Sequence, residues 1–285
     1  MLAAPDLAWI ACRALSIAAV LQAAGAVIFM RLFGERSDAR GIAQLCAWAA
    51  GLGIVLTSVL QLLGPARMTA SFDGVLDASL QTLYLYSDAG RAHGVRVAGL
   101  ALVLIASLAP GRRLYLDVLG ACTAVASFAL MGHTVTHEPR WLLTGLLLVH
   151  VAIIAFWFGS LLPLRWLARS QSPKTAAGIV EDFSKIAIWT VPAILAAGVG
   201  LAFVLVGTVE NLFRPYGLLI LAKSAVFAVL LGLASLNKWR FAPRIRAGST
   251  AAVAAFGRTA LAEWLLMLAV VAMTVVMTGL FSPEA

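Results

Sequence analysis

Four histidines stand out in this chain: His93, His133, His137 and His150. His133 and His137 are four apart in Met131-Gly-His-Thr-Val-Thr-His137. On a helix that spacing puts both imidazoles on one face, a common geometry for two ligands to one metal. Imidazole binds Zn, Cu, Fe and Ni, while thioether sulfur selects Cu(I). Methionines accompany the histidines: Met131, and the pair Met273 and Met277 four apart near the end of the chain. The three cysteines, Cys12, Cys46 and Cys122, are scattered through apolar runs with no CxxC, so no disulfide framework is expected. A His and Met set without paired Cys leans towards copper in an oxidising compartment. Two further ionisable residues, Lys223 and Glu263, lie in apolar stretches, where such groups are functional candidates by default. Lys223 would balance a carboxylate, steer an anion or snorkel outward. Glu263 would accept a proton, or bond Asn237 or a loop arginine. No GxSxG, HExxH, phosphate-cradling GxxxxGK[ST] or Gly-rich dinucleotide turn is present, so an enzyme is not expected.

The elements that position these residues follow from composition. Of 285 residues, 62% are hydrophobic and 12% charged, with a mean hydropathy of +0.95. A soluble domain carries about 45–50% apolar and about 25% charged residues. The excess is spread along the whole chain, so the expectation is an all-α, polytopic integral membrane helix bundle forming a single domain over 1–285. At about 20 apolar residues per span, eight spans fit. They are read at roughly 7–30, 42–63, 93–109, 114–133, 141–163, 186–208, 216–237 and 259–281, punctuated by Pro and Gly. The opening residues lack the basic stretch of a signal peptide. The connection over 65–92 carries Phe72, Val75, Leu76, Leu80 and Leu83 near helical spacing, which predicts a short amphipathic helix on the outer leaflet.

Arginine and lysine set the orientation. The first, third, fifth and seventh connections hold 14 of the 21 basic residues. The positive-inside rule therefore puts those connections in the cytoplasm and both termini outside, in the periplasm. The net charge of +8 records orientation rather than a nucleic-acid surface. All four histidines then fall in the outer half, with His150 about nine residues into the fifth span, roughly 13 Å deep at 1.5 Å per residue.

An ordered series of motifs resembles the copper resistance protein D (CopD) family. It comprises His150, Trp157 and Gly159 in HVAIIAFWFGSLLPL; Phe183-Ser184 opening FSKIAIWTVPAILAAGVGLAFVLVG; and Tyr216-Gly217, Lys223 and Asn237 in PYGLLILAKSAVFAVLLGLASLNKWR. Glu263 opening the last span and Gly132-His133 upstream complete it. The match is specific over about 132–283 and general before that, resting on span count, Arg13 and Gly90 with Arg96. One departure concerns the first span: the family pattern places a His soon after its Arg, and CRALSIAAV has none. The resemblance implies a multi-pass protein of a bacterial inner membrane. It would take copper, as Cu(I) or Cu(II), from a periplasmic CopC-like carrier and move it inward.

The expected path has copper received by His133 and His137, joined by His93, and carried deeper by His150. Met131, Met273 and Met277 are secondary ligands. Trp157 and Gly159 shape a helix contact, and Lys223, Asn237 and Glu263 support transport. Two other readings stay open. One is a b-type haem or quinone redox protein, with His133 or His137 and His150 as axial ligands. The other is a non-transporting scaffold for a periplasmic copper carrier.

Overall fold

A computed structural model describes residues 3–36, 38–109, 115–132 and 138–281. Among them there is no strand, and the chain is a bundle of helices. The long helices are α1 (Ala4–Phe33), α2 (Ala39–Met68), α4 (Asp88–Leu108), α6 (Arg140–Ser170), α7 (Pro173–Val206), α8 (Pro215–Leu236) and α10 (Thr250–Leu280). All seven are long and apolar enough to cross a membrane, and Leu116–Leu130 adds a shorter apolar segment made of α5 (Leu116–Ala126) and one 3-10 turn. The short helices α3 (Ala78–Leu85) and α9 (Ala242–Arg246) lie in connections.

Local chemistry starts these helices where they start. Asp38, Ser87, Ser172 and Ser249 each accept a backbone N–H of the first turn of α2, α4, α7 and α10. Proline sits in the first turn of α1, α7 and α8, where its missing N–H costs nothing. The Ser172 cap with Pro173 starts α7 thirteen residues earlier than the apolar run suggests. The charged turn this adds is solvated and paired: Glu181 with Arg246, and Asp182 with Arg36 and Lys185. The 65–92 connection is shorter than the sequence suggests, because α2 runs to Met68 and α4 begins at Asp88. Between them α3 buries no residue, although half-buried Tyr84 lies over Gly64.

Helix α1 is central. Two thirds (67%) of its apolar window is buried, against 11% for α7 and α8, whose outer faces are left for lipid. It packs against α2, α4, α5, α6 and α10. The closest approach is to α6, where Gly25 meets Gly159: a Cβ on Gly159 would lie 2.5 Å from the Gly25 Cα. Small residues of this kind let membrane helices touch backbone to backbone. Gln22, one turn before Gly25, donates to the Gly159 carbonyl at 3.0 Å and accepts from the Trp264 indole N–H at 3.0 Å, tying α1, α6 and α10 together.

The two ends of the bundle differ in charge. At one end Arg31 pairs with the buried Asp117, Arg36 with Asp182, and Arg246 with Glu181. The first, third, fifth and seventh connections are thereby gathered on one face, which the positive-inside rule assigns to the cytoplasm. At the other end Arg67 holds Asp6 and the Gly279 carbonyl, joining both chain ends to the second connection.

Candidate copper-handling site

His150 projects from the outer half of α6 towards α7. A Cβ on Gly198 of α7 would lie 3.4 Å from the imidazole Cε1 and 3.7 Å from Nδ1. A methyl group at Gly198 would only touch the ring at van der Waals distance, so a side chain larger than alanine is what would crowd it. Nδ1 is sealed from solvent with no hydrogen-bond partner of good geometry, and the Ile194 backbone of α7 lies close to the ring. Lys223 of α8 is half-buried and within electrostatic reach of His150. A buried imidazole nitrogen without a partner is unusual, because buried polar atoms are normally satisfied. In the tautomer that leaves Nδ1 unprotonated, this nitrogen offers the lone pair that a soft or borderline metal ion requires.

Two turns inward on α6, Trp157 stacks on Phe227 of α8 with centroids 6.2 Å apart. Its indole N–H is also buried without a partner. Trp157 thus fixes the spacing of α6 and α8 one turn inward of Lys223. Gly159 lies beyond it in the contact with Gly25.

His93 belongs to a different interface. It is buried on α4, with Nδ1 3.0 Å from the Gln61 side-chain oxygen of α2 and its ring beside Tyr84 of α3. Arg13 and Arg96 are within electrostatic reach of it. Arg96 donates to Ser127 at 3.1 Å and lies over Phe128. Among the described residues neither arginine is ion-paired with a carboxylate. His93 is packed against α2 and α3 with two guanidinium cations in reach, where His150 is packed against α7 with one ammonium in reach.

His133 and His137 lie outside the described residues. Met131, half-buried, ends the 3-10 turn that precedes them. Met277 is buried among Val206 and Tyr216 as apolar packing, and Met273 is half-buried on α10. Among the described residues no group of three or more His, Cys, Asp or Glu side chains is arranged to hold a metal.

Near the middle of α10, in the half that leads to the basic connections, Glu263 is buried and accepts a hydrogen bond from the Asn237 amide at 2.5 Å. Asn237 opens a π-helical turn, Asn237–Phe241. Two surface hollows of about 590 and 730 Å³ lie at the basic end of the bundle, lined by Arg31, Arg36, Arg40 and Lys174 together with Glu35 and Asp117. Gln22, Gln61 and Gly198 take part in these contacts without any mark in the sequence. An uncharged amide or a glycine in an apolar helix carries no signal until its neighbour is known.

Comparison with known proteins bears on what this arrangement handles. A family model described as copper resistance protein D-like, N-terminal domain, matches residues 4–140. A second, described as copper resistance protein D, matches residues 177–277. The copper transport protein CutJ of Bacillus subtilis (strain 168) is 27% identical over 281 residues, covering 90% of this chain and 50% of that protein. The inner membrane protein YebZ of Escherichia coli (strain K12) is 29% identical over 119 residues, covering 41% of each. The chain thus spans half or less of the length of these curated relatives. No solved structure matches it. With the two models meeting this chain in order along both halves, and the multi-pass bundle beneath them, the chain belongs to the copper resistance protein D family.

Proposed function

We propose that this chain moves copper inward across a bacterial inner membrane, with His150 as the ligand inside the bilayer. The observation that supports this reading most directly is the buried, unpartnered Nδ1 of His150, facing the gap left by Gly198. The family and the copper transport relative supply the cargo. Copper would be delivered on the periplasmic side by a CopC-like carrier and received by His133 and His137, which precede the start of α6 at Arg140 on the chain. His150, further along the same helix, takes it next. Imidazole and thioether donors accommodate either Cu(I) or Cu(II). His93, beside two arginines, is not part of this path.

Lys223 has a defined place in such a path. A single positive charge close to His150 lowers the affinity for a cation there without abolishing it, so that copper is held and can still be released. The reading is of a carrier rather than a catalyst.

Copper accumulation in cells tests it. His150→Ala and His133→Ala should each lower accumulation at unchanged protein level. Unchanged accumulation in both variants would refute transport through these residues.

A further inference from the structure

Glu263 has surroundings that the path through His150 does not use. Its carboxylate is buried in the cytoplasmic half of α10, and among the described residues it forms no ion pair. The neighbouring elements do carry charge: Arg165 and Arg169 on α6, Lys238 and Arg240 on the π-helical turn, Arg244 and Arg246 on α9, and Arg258 on α10 itself. Arg169 lies against Gly257, about two turns from Glu263, Lys238 lies over Trp239, and Arg246 is taken by Glu181. From α1 the facing group is the neutral Gln22, bonded to Trp264. A buried membrane carboxylate without a cation is costly in its ionised form.

What Glu263 has instead is a chain of reversible hydrogen bonds. The Asn237 amide donates to Glu263 at 2.5 Å, and the Asn237 carbonyl oxygen accepts from the Thr259 hydroxyl at 2.5 Å. The same hydroxyl lies 2.9 Å from the Phe256 carbonyl and 3.2 Å from that of Ala255. This set can be satisfied in two ways. With Glu263 ionised, the bonds run from Thr259 to Asn237 and from Asn237 to Glu263. With Glu263 protonated, its O–H donates to the Asn237 oxygen once that amide turns over. The Asn237 N–H then donates to Thr259, whose hydroxyl turns to the Phe256 carbonyl. Each donor keeps an acceptor in both states, because an amide and a hydroxyl can each reverse their role. Asn237 sits at a π-helical turn, a feature concentrated at functional sites.

We infer that Glu263, with Asn237 and Thr259, is a proton-binding site in the cytoplasmic half of the membrane, and that a proton held there is exchanged for copper moving inward. The second part rests on the transport reading above. A copper ion passing this carboxylate and a proton bound to it neutralise the same single charge, so each displaces the other. The oxygen donors are hard and suit a proton better than Cu(I). Glu263 therefore acts as a charge-balancing group rather than as a ligand.

Two measurements test the two parts separately. Infrared difference spectra of the purified protein across a pH titration, without copper, should show a buried carboxylic C=O band that is absent in Glu263→Gln. An unchanged band in that variant, or none in the wild type, overturns the proton site. Glu263→Gln keeps an acceptor for Asn237, and thermal unfolding shows whether it is folded. Asn237→Asp provides a second variant, expected to shift the pH at which the band appears. The second measurement uses proteoliposomes with an entrapped Cu(I) chelator, acidic inside by about one pH unit. For one-to-one exchange that gradient is worth about a tenfold bias in copper accumulation. The wild type should show the bias and Glu263→Gln should lose it. Copper entry indifferent to the gradient in the wild type overturns exchange while leaving transport standing. No copper entry at all refutes the transport reading and exchange with it, and the infrared band still decides the proton site.

Discussion

Gly25 and Gly159 bring the backbones of α1 and α6 into contact, and neither position has room for a side chain. A Cβ on Gly25 would lie 1.7 Å from the Ala155 carbonyl oxygen. That contact sets the position of α6, and therefore of His150 about two and a half turns outward. Gly159→Ala should destabilise the purified protein by about 1–3 kcal/mol, the usual cost of overpacking. Thermal unfolding in detergent reads this directly, and a variant as stable as the parent would show that the helices do not touch there.

Gln22 supports the same contact from the side. Gln22→Leu removes the donor to the Gly159 carbonyl and leaves the Trp264 indole N–H without its acceptor. Hydrogen bonds between membrane helices average about 0.6 kcal/mol and reach about 1.7. The loss of both should cost on the order of 1–3 kcal/mol. Trp264 fluorescence should shift as its indole N–H loses a bond.

Arg31 and Asp117 form the ion pair that ties the last turn of α1 to the first turn of α5. The Asp117 side chain is 4% exposed and that of Arg31 is 25%. Arg31→Ala strands a buried carboxylate and should destabilise by about 3 kcal/mol, the low end for a broken buried pair because Arg31 is partly solvated. Asp117→Asn in the same background should recover part of that loss. No recovery would mean that the pair is not what holds this end.

Much of the architecture was legible in the sequence, because lipid demands long apolar runs and the basic residues are concentrated in alternate connections. Seven of the expected spans appear as long helices, and the span expected at 114–133 is the shorter segment Leu116–Leu130. The helix starts were misjudged where polar turns extend an apolar helix, as at Pro173, since hydropathy ends before the hydrogen bonding does. The site was legible residue by residue but not as an arrangement. Spacing placed His93 and His150 in the same half of the membrane, yet His93 packs against α2 and α3 and His150 against α7. Which face a histidine takes depends on partners on other helices that are unmarked by charge, such as Gly198 or Gln61. Glu263 illustrates the converse: of its open alternatives, the bond to Asn237 is present.

Gly198 gives a test of His150 that leaves the imidazole untouched. Gly198→Val places a branched side chain against the ring, because even a Cβ there would sit 3.4 Å from Cε1. Copper accumulation should fall severalfold while the protein, whose α7 is largely lipid-facing, retains its thermal stability. Normal accumulation in Gly198→Val would argue that the gap beside His150 is not on the path.

The most direct measurement is copper content of the purified chain, by metal analysis and optical spectrum after loading with Cu(I) and with Cu(II), for the wild type and for His150→Ala. The wild type should retain copper, without a Soret band, and His150→Ala should retain markedly less at equal stability. A wild-type protein that holds no copper, or holds as much after His150→Ala, would contradict His150 as the copper ligand within the membrane.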